Sequence, residues 1–562
     1  MMRSLTSLAV LLLFGTVGFC QSNKAESKFI DLSLLVSPNY PCTWPDGFPR
    51  FRLDHVNTIG RGGAYNIDTL SIDGNTGTQM DVPPHSVARP SLNLPHSGPY
   101  GDEFTEKTPP WKFVGEACVI DLQRLLDTGD PGVSPLITVD HIKEWESRHR
   151  KFKLGDAVLF RSGYSDKYYL PLPEGRRFVA DVLENKFSGY PGPTPETMEY
   201  IAKQSVFHIG TDSPSMGTLP SELADPAHYA ALQYGAIFTE GATGLRKLPT
   251  TGAFYCMMGP KHVGGPYSEG RAFAVVGDLA KTLIESARAK RVRDVSVTMS
   301  IEFPLTWPGK GVSRHRQRYT KNDFIWAENL QLYHHGHVMD SHAGTHVVPP
   351  AFALPPQQVD RNVYSPENRI VLEEYEREFG KRGVSDVTVE KIPLAQMAGW
   401  IRLIDVSQLV GTTTRGDWPA SPAISVDVIK AYENARGELK PGEVVVFRSG
   451  HSDRHFRKFP EGMTCLADPI NGRSEGWPAL TPETIMYLAD KGIQCVATDG
   501  PTLGGVNPAN ALKTYWALGS RGMVGVEFLT NLKGTPNKAF FLFAPVKIEN
   551  SHGAPGRAII LH

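Results

Sequence analysis

The stretch DAVLFRSGYSDKYY (156–169) returns as EVVVFRSGHSDRHF (443–456), 287 residues further along the chain. Both carry a β-branched and aromatic run, AVLFRSG or VVVFRSG, that reads as a short strand. Three more pairs keep the same offset of 287: YPGPTPETMEYIAKQ (190–204) with WPALTPETIMYLADK (477–491), HIGTDSP (208–214) with CVATDGP (495–501), and GAIFTEGATGL (235–245) with GMVGVEFLTNL (522–532). Towards the N-terminus, FIDLSLLVSPNYPCTWPD (29–46) faces RDVSVTMSIEFPLTWPG (293–309) at an offset of 263, with Asp31, Ser33, Pro41, Trp44 and Pro45 opposite Asp294, Ser296, Pro304, Trp307 and Pro308. Spacing kept over so many positions makes the chain a tandem duplication, about 270 residues per copy. TPETMEYIAKQ and TPETIMYLADK predict helices capped by Thr with Pro at the first helical position. Each copy is therefore α/β. Because its first third is rich in strands and loops, a mixed β-sheet core flanked by helices is expected rather than a doubly wound parallel sheet.

A chain of 562 residues with 41% hydrophobic and 21% charged residues is globular, which excludes disordered, collagenous and coiled-coil classes, and its length fits two large domains. Lys+Arg 58 against Asp+Glu 59 leaves no net attraction to nucleic acid or to an anionic membrane, so small-molecule chemistry or protein contact remains. Residues 1–20, MMRSLTSLAVLLLFGTVGFC, have one early positive charge, an apolar run from Leu8 to Phe14, and small residues near a cleavage position. They predict a secretory signal rather than an anchor, because Thr6, Ser7, Gly15 and Thr16 interrupt the apolar run. The expected layout is a signal peptide at 1–20, a first domain at 21–287 and a second at 288–562, in a secreted or secretory-lumen protein with no membrane segment in its mature form. Cys42, Cys118, Cys256, Cys465 and Cys495 are too sparse for a disulfide framework and are expected to be mostly buried. Between the copies, Arg288, Lys290 and Arg291 fit either a furin-type processing site or the solvated basic end of a helix.

The chemistry-bearing residues concentrate in one segment of each copy. GNTGTQMDVPPHSV (74–87) gathers Asn75, Gln79, Asp81 and His85 around a Gly-Thr turn and a Pro-Pro pair; its counterpart SHAGTHVVPPAFAL (341–354) carries His342 and His346. Two imidazoles on a rigid, proline-bounded loop can aim at one point, although an HxxxH spacing is shared by many surface and core pairs. YHHGHVMD (333–340) adds His334, His335 and His337, read as a histidine-rich exposed strand or loop. The matched Trp44 and Trp307 are read as core anchors. Arg161-Ser162-Gly163 with Asp212, and Arg448-Ser449-Gly450 with Asp499, are read equally as pocket lining or as structural turns.

These segments, with the DLS and WP elements, the RSG strand, the TPET helix, the TD turn and the closing Pro to Gly-Arg stretches (260–271 and 545–557), resemble the cyclase family that includes bacterial-type kynurenine formamidase and isatin hydrolase. Its hallmark is HxGTHxDxPxH. The resemblance covers nearly the whole of both copies and implies metal-dependent hydrolysis of a small amide, lactam or related acyl compound. It further implies a divalent cation, manganese or zinc, and pairing of the two copies within the chain; a further homodimer stays open.

Carried over residue by residue, the resemblance is uneven. In the first copy Asn75 and Gln79 stand where the first two motif histidines belong, while Asp81 and His85 are kept, as are the later His228 and Glu240. The resemblance makes Asp81, His228 and Glu240 metal ligands, with Asn75 and Gln79 as weaker amide donors, and His85 the acid/base. In the second copy His342, His346 and Glu527 remain as a vestigial set, but Val348, Phe352 and Tyr515 replace the Asp, the acid/base His and the later His. The first copy is thus expected to act and the second to be a pseudo-domain. The alternative is a non-catalytic scaffold that binds a ligand or a protein.

Overall fold

A computed structural model describes residues 27–45, 48–60, 63–220, 222, 224–308, 318–327 and 332–562. The expected signal peptide lies outside the described residues. Among them, the first half builds a mixed sheet of nine strands in the order Lys28–Asp31, Arg271–Val276, Phe254–Met258, Val114–Asp121, Asp156–Arg161, His208–Thr211, Ile237–Glu240, Gln79–Asp81 and Tyr267–Glu269. The four strands from Val114–Asp121 to Ile237–Glu240 run parallel, and their outer neighbours pair antiparallel. Tyr267–Glu269 and Arg271–Val276 are one stretch of chain broken at Gly270, so the last strand of this order runs on into the second and the sheet curls round on itself. A Cβ on Gly270 would stand 2.3 Å from the Met258 carbonyl oxygen, which is why the break holds glycine.

The second half repeats the plan with one unbroken strand, Ala554–Leu561, which pairs with His346–Val348 and with Phe540–Pro545 and so closes its sheet. The expected helices are present at Pro195–Ala202 and Pro482–Asp490, each with its cap threonine, Thr194 or Thr481, accepting from the backbone N–H three residues on. One apolar cluster runs through both halves, from Phe254 and Phe273 to Phe541 and Ile560. Burying each such side chain contributes about 1.5–3 kcal/mol, so the core favours keeping the halves together.

Each half also reaches into the other. The hairpin Arg52–Asn57/Ile67–Asp73 and the hairpin Tyr319–Ala327/Leu332–Asp340 join in one four-stranded sheet, Asp73 opposite Gly336 and Thr69 opposite Asp340. The ion pairs are reciprocal. Asp31 binds Arg271 of its own half (2.9 Å) and Lys547 of the other (2.7 Å), while Asp294 binds Arg557 (2.7 Å) and Lys261 (3.2 Å).

Several expectations change at this level. The histidine-rich segment is a strand, but His335 and His337 are buried rather than exposed, because the strand lies across the first half and turns these rings inward. Trp307 is not a core anchor; it is 38% exposed and edges Trp477. The basic tract is folded: Arg288 ends the helix Asp278–Arg288 and pairs with Glu116 and Asp156, Lys290 lies 4.1 Å from the Trp111 ring, and the Arg291 N–H donates to the Ser286 carbonyl. The junction between the halves falls at 289–291, just past the expected boundary at 287/288. All five described cysteines are buried free thiols.

Candidate functional site

In the first half, Gln79 and Asp81 lie two apart on the strand Gln79–Asp81 and so share a face. The antiparallel partner strand places Glu240 directly opposite Gln79. Asp81 is followed by Val82 and the single turn Pro83–His85, which folds His85 back until its Nε2 stands 4.0 Å from Asp81 Oδ2. His228 comes from the helix Ala224–Leu232, with Nε2 at 3.1 Å from Glu240 Oε1 and 3.8 Å from Asp81 Oδ2. Sheet register and one short turn thus bring together four side chains separated by up to 159 positions in the sequence. Asp81, His228 and Glu240 are buried and His85 is half-buried.

The hydrogen bonds fix what each group can do. His228 Nδ1 lies 2.8 Å from the Ala224 carbonyl, which only accepts, so Nδ1 carries a proton and Nε2 faces the carboxylates. Glu240 Oε1 also accepts from the Met216 N–H, and Oε2 accepts from Gln79 Nε2 at 2.7 Å. The same Gln79 nitrogen donates to Asn75 Oδ1 at 3.0 Å. Asn75 and Gln79 therefore stand at the site as a hydrogen-bonded pair that steadies Glu240: the Asn75 oxygen accepts from Gln79, and Gln79 turns its nitrogen to Glu240.

Asp81 differs from all of these. Both of its oxygens are buried and neither has a hydrogen-bond partner among the described residues. Burial, with the Glu240 carboxylate beside it, pushes its pKa well above the ordinary value against the pull of His228. His228 is raised to about 9, because Glu240 and Asp81 outweigh the burial that would lower it. Asp81, His85 and His228 offer one donor atom each within 4.8 Å of one another. A buried carboxylate without a hydrogen-bond partner among the described residues, its Oδ2 facing two imidazoles, forms a donor set suited to a divalent cation.

The second half shows the same frame with other groups in it. His346 Nε2 meets Glu527 Oε2 at 3.0 Å, and Tyr515 Oη, in the place of His228, donates to Glu527 Oε1. The Leu503 N–H takes the role of Met216. Phe352, in the place of His85, packs its ring 4.7 Å from that of His342. The carboxylate is fully engaged by hydrogen bonds. A cavity of about 610 Å³ opens over these residues, walled largely by apolar side chains that include Trp307, Phe352 and Leu512.

Sequence reading missed the exchange of covers between the halves. Tyr65, from the first half's hairpin, lines the second half's cavity and stacks on Phe352 at 4.7 Å. In the other direction His335 stacks on Tyr267 at 4.9 Å, and Tyr267 edges His85 at 5.4 Å. Neither contact leaves a local signal, since each joins residues that are distant in the chain. Asp212 accepts from the Ser162 and Gly163 N–H groups and the Ser162 hydroxyl, and Asp499 does the same for Ser449 and Gly450. Their carboxylates pin the turns after the RSG strands.

The chain matches the family described as "Putative cyclase" twice, over residues 30–218 and 293–504. It is 33% identical over 175 residues to an isatin hydrolase of Roseibium aggregatum, a stretch that is 29% of this chain and 64% of that protein, so the match spans less than two thirds of the relative. It is 26% identical over 222 residues to a kynurenine formamidase of Erythrobacter litoralis, 39% of this chain and 80% of that one. Among solved structures, isatin hydrolase A from Labrenzia aggregata, bound to benzyl benzoate, aligns with 50% of this chain and 99% of its own at 19% identity and a TM-score of 0.37. With both family matches together covering more than half of its length, the chain belongs to the cyclase family, as a tandem pair of its domains.

Proposed function

We propose that this protein is a divalent-metal-dependent hydrolase that opens a carbon–nitrogen bond of a small aromatic amide or lactam in its first half. The observation that carries the reading is Asp81, whose two buried oxygens have no hydrogen-bond partner among the described residues and whose Oδ2 faces His85 and His228. Similarity to an isatin hydrolase and a kynurenine formamidase supports the choice of bond and substrate size.

Asp81, His228 and Glu240 would hold the cation, manganese or zinc. Bound there, it would polarise a carbonyl and acidify a water. The protein supplies the rest. Ala224 keeps a proton of His228 on Nδ1, so that Nε2 is the nitrogen that would take the cation, giving up its own proton to do so. The pair Asn75–Gln79 and the Met216 N–H fix the Glu240 carboxylate. His85, the half-exposed member, carries a proton to the leaving nitrogen, a role that contributes about 10²–10⁴-fold. Tyr267 against its edge, backed by His335 of the second half, limits how that ring can swing. The second half acts in this reading as a cover supplied within the chain. The leader read at residues 1–20 supports a secreted or luminal destination.

A second reading rests on the cavity of about 610 Å³ over the second half, which supports binding of an apolar or aromatic ligand there without chemistry. One experiment separates the two. Protein stripped with chelator and reloaded with Mn²⁺ or Zn²⁺ is offered an N-formyl arylamine and an isatin-type lactam. Cation-dependent ring opening or deformylation supports the hydrolase; ligand binding with no turnover under any cation supports the scaffold.

A further inference from the structure

A second convergence of ligand-type side chains lies away from this site, between the halves. His55 and Asp68 are directly opposed in the antiparallel pair Arg52–Asn57/Ile67–Asp73, with His55 Nδ1 2.6 Å from Asp68 Oδ1. His552, in the turn before the final strand Ala554–Leu561, brings its Nδ1 to 3.1 Å from the same oxygen and 3.2 Å from Oδ2. Donor atoms of the three lie within 4.8 Å of one another. Asp68 has no side-chain exposure, His552 has 16% and His55 has 43%, so the group is closed on the protein side and open on one other.

Outer contacts hold the carboxylate in place. Asp68 Oδ2 accepts from the His552 N–H at 2.7 Å and from the Ser551 hydroxyl at 3.3 Å. The Ser341 N–H donates to the Asp68 carbonyl, which anchors the backbone. This is the outer bracing that orients a ligating carboxylate, and here the second half provides all of it. An Asp accepting two imidazole N–H groups would satisfy the same hydrogen bonds. It does not call for the solvent-facing position that lies beside the three donors, on the side of the 43% exposed His55.

We propose that His55, Asp68 and His552 bind one Zn²⁺ ion that clamps the first half's hairpin to the second half's closing turn. Zinc takes nitrogen and carboxylate ligands at about 2.0–2.2 Å in a tetrahedron, so its donor atoms stand roughly 3.3 Å apart. The donors at 2.6 and 3.1 Å need only small side-chain shifts to reach that spacing. Three protein ligands leave the fourth position, on the His55 side, to water. Zinc takes the place of the Nδ1 protons, so its binding competes with protons for the same nitrogens. The site is independent of the one built on Asp81 and does not rest on the proposed hydrolysis.

The test is Zn²⁺ binding to the full chain, by competition with a chromophoric chelator, in the Asp81→Ala background and in that background with His552→Ala or His55→Ala added. The expected result is one equivalent retained in Asp81→Ala and lost when either histidine is removed, a drop larger than the roughly 10–100-fold that loss of an outer partner costs. Equal binding with and without His552, or no binding in Asp81→Ala, overturns the proposal. Should Asp81→Ala fail to fold, His552→Ala in the otherwise unaltered chain gives the same reading. It should bind one Zn²⁺ fewer than wild type and lose part of the zinc-dependent rise in unfolding temperature; an unchanged count and an unchanged rise overturn the clamp.

Discussion

Gln79 turns its amide nitrogen to Glu240 Oε2 at 2.7 Å, in the place where His346 meets Glu527 Oε2 at 3.0 Å in the other half. A neutral donor thus replaces an imidazole without disturbing the carboxylate. The substitution leaves the first half a narrower donor set of Asp81, His228 and Glu240. The second half made the opposite exchange, keeping its histidines while Val348, Phe352 and Tyr515 fill the positions of Asp81, His85 and His228.

His85→Gln should keep the cation and lose turnover. The glutamine fills similar space but cannot carry the proton, so kcat should fall by about 10²–10⁴-fold with the metal count unchanged. Elemental analysis beside initial rates reads both, and loss of the cation in this variant would make His85 a ligand instead.

The donor set of the second half should be recoverable. Val348→Asp with Tyr515→His places a carboxylate and an imidazole where the first half has Asp81 and His228, beside His346 and Glu527. This double variant is expected to bind one Mn²⁺ more than wild type and to be rescued in unfolding temperature by that ion. An unchanged count means that the frame of the second half is no longer able to hold one.

Stability should fall in acid through the reciprocal pairs. Burial raises the pKa values of Asp31 and Asp294, but Arg271 with Lys547, and Arg557 with Lys261, outweigh it and hold both below the usual carboxylate range. A lowered folded-state pKa gives stability that is present above the unfolded value of about 4 and is lost as pH falls through the folded one. Asp31→Asn should cost about 3 kcal/mol at neutral pH, at the low end for a broken buried pair because Asp31 keeps 26% exposure. Its deficit against wild type should shrink below pH ~4. A deficit independent of pH in thermal unfolding would remove the charge pair as its cause.

Asp212 is a turn pin rather than part of the site. Asp212→Ala strips the acceptor from the Ser162 and Gly163 N–H groups and the Ser162 hydroxyl and should cost about 3 kcal/mol. Cation affinity should be unaffected. An unchanged unfolding temperature with turnover lost would instead assign Asp212 to the pocket.

The duplication, the α/β class and the Thr-Pro helix starts were legible because they are local: a cap, a proline and a β-branched run each act within a few residues. The convergence of Asp81, His85, His228 and Glu240 was legible only through family resemblance, since their spacing fits many arrangements. What was not legible depends on which half covers which. The strand that carries His335 and His337 has the same alternation whether its inner face meets solvent or the other half, so exposure was the wrong expectation. Trp307 likewise borders the cavity, not the core. The hydrogen bond from Gln79 to Asn75, with Gln79 opposite Glu240, is something only the sheet register reveals. His552 lies too far from His55 and Asp68 in the chain for any motif to join them.

A working cation in the first half is tested by Mn²⁺ binding and amide hydrolysis followed together in wild type, Asp81→Ala and His346→Ala. Asp81→Ala should lose both and His346→Ala neither. Hydrolysis that survives Asp81→Ala, or that disappears in His346→Ala, would contradict it.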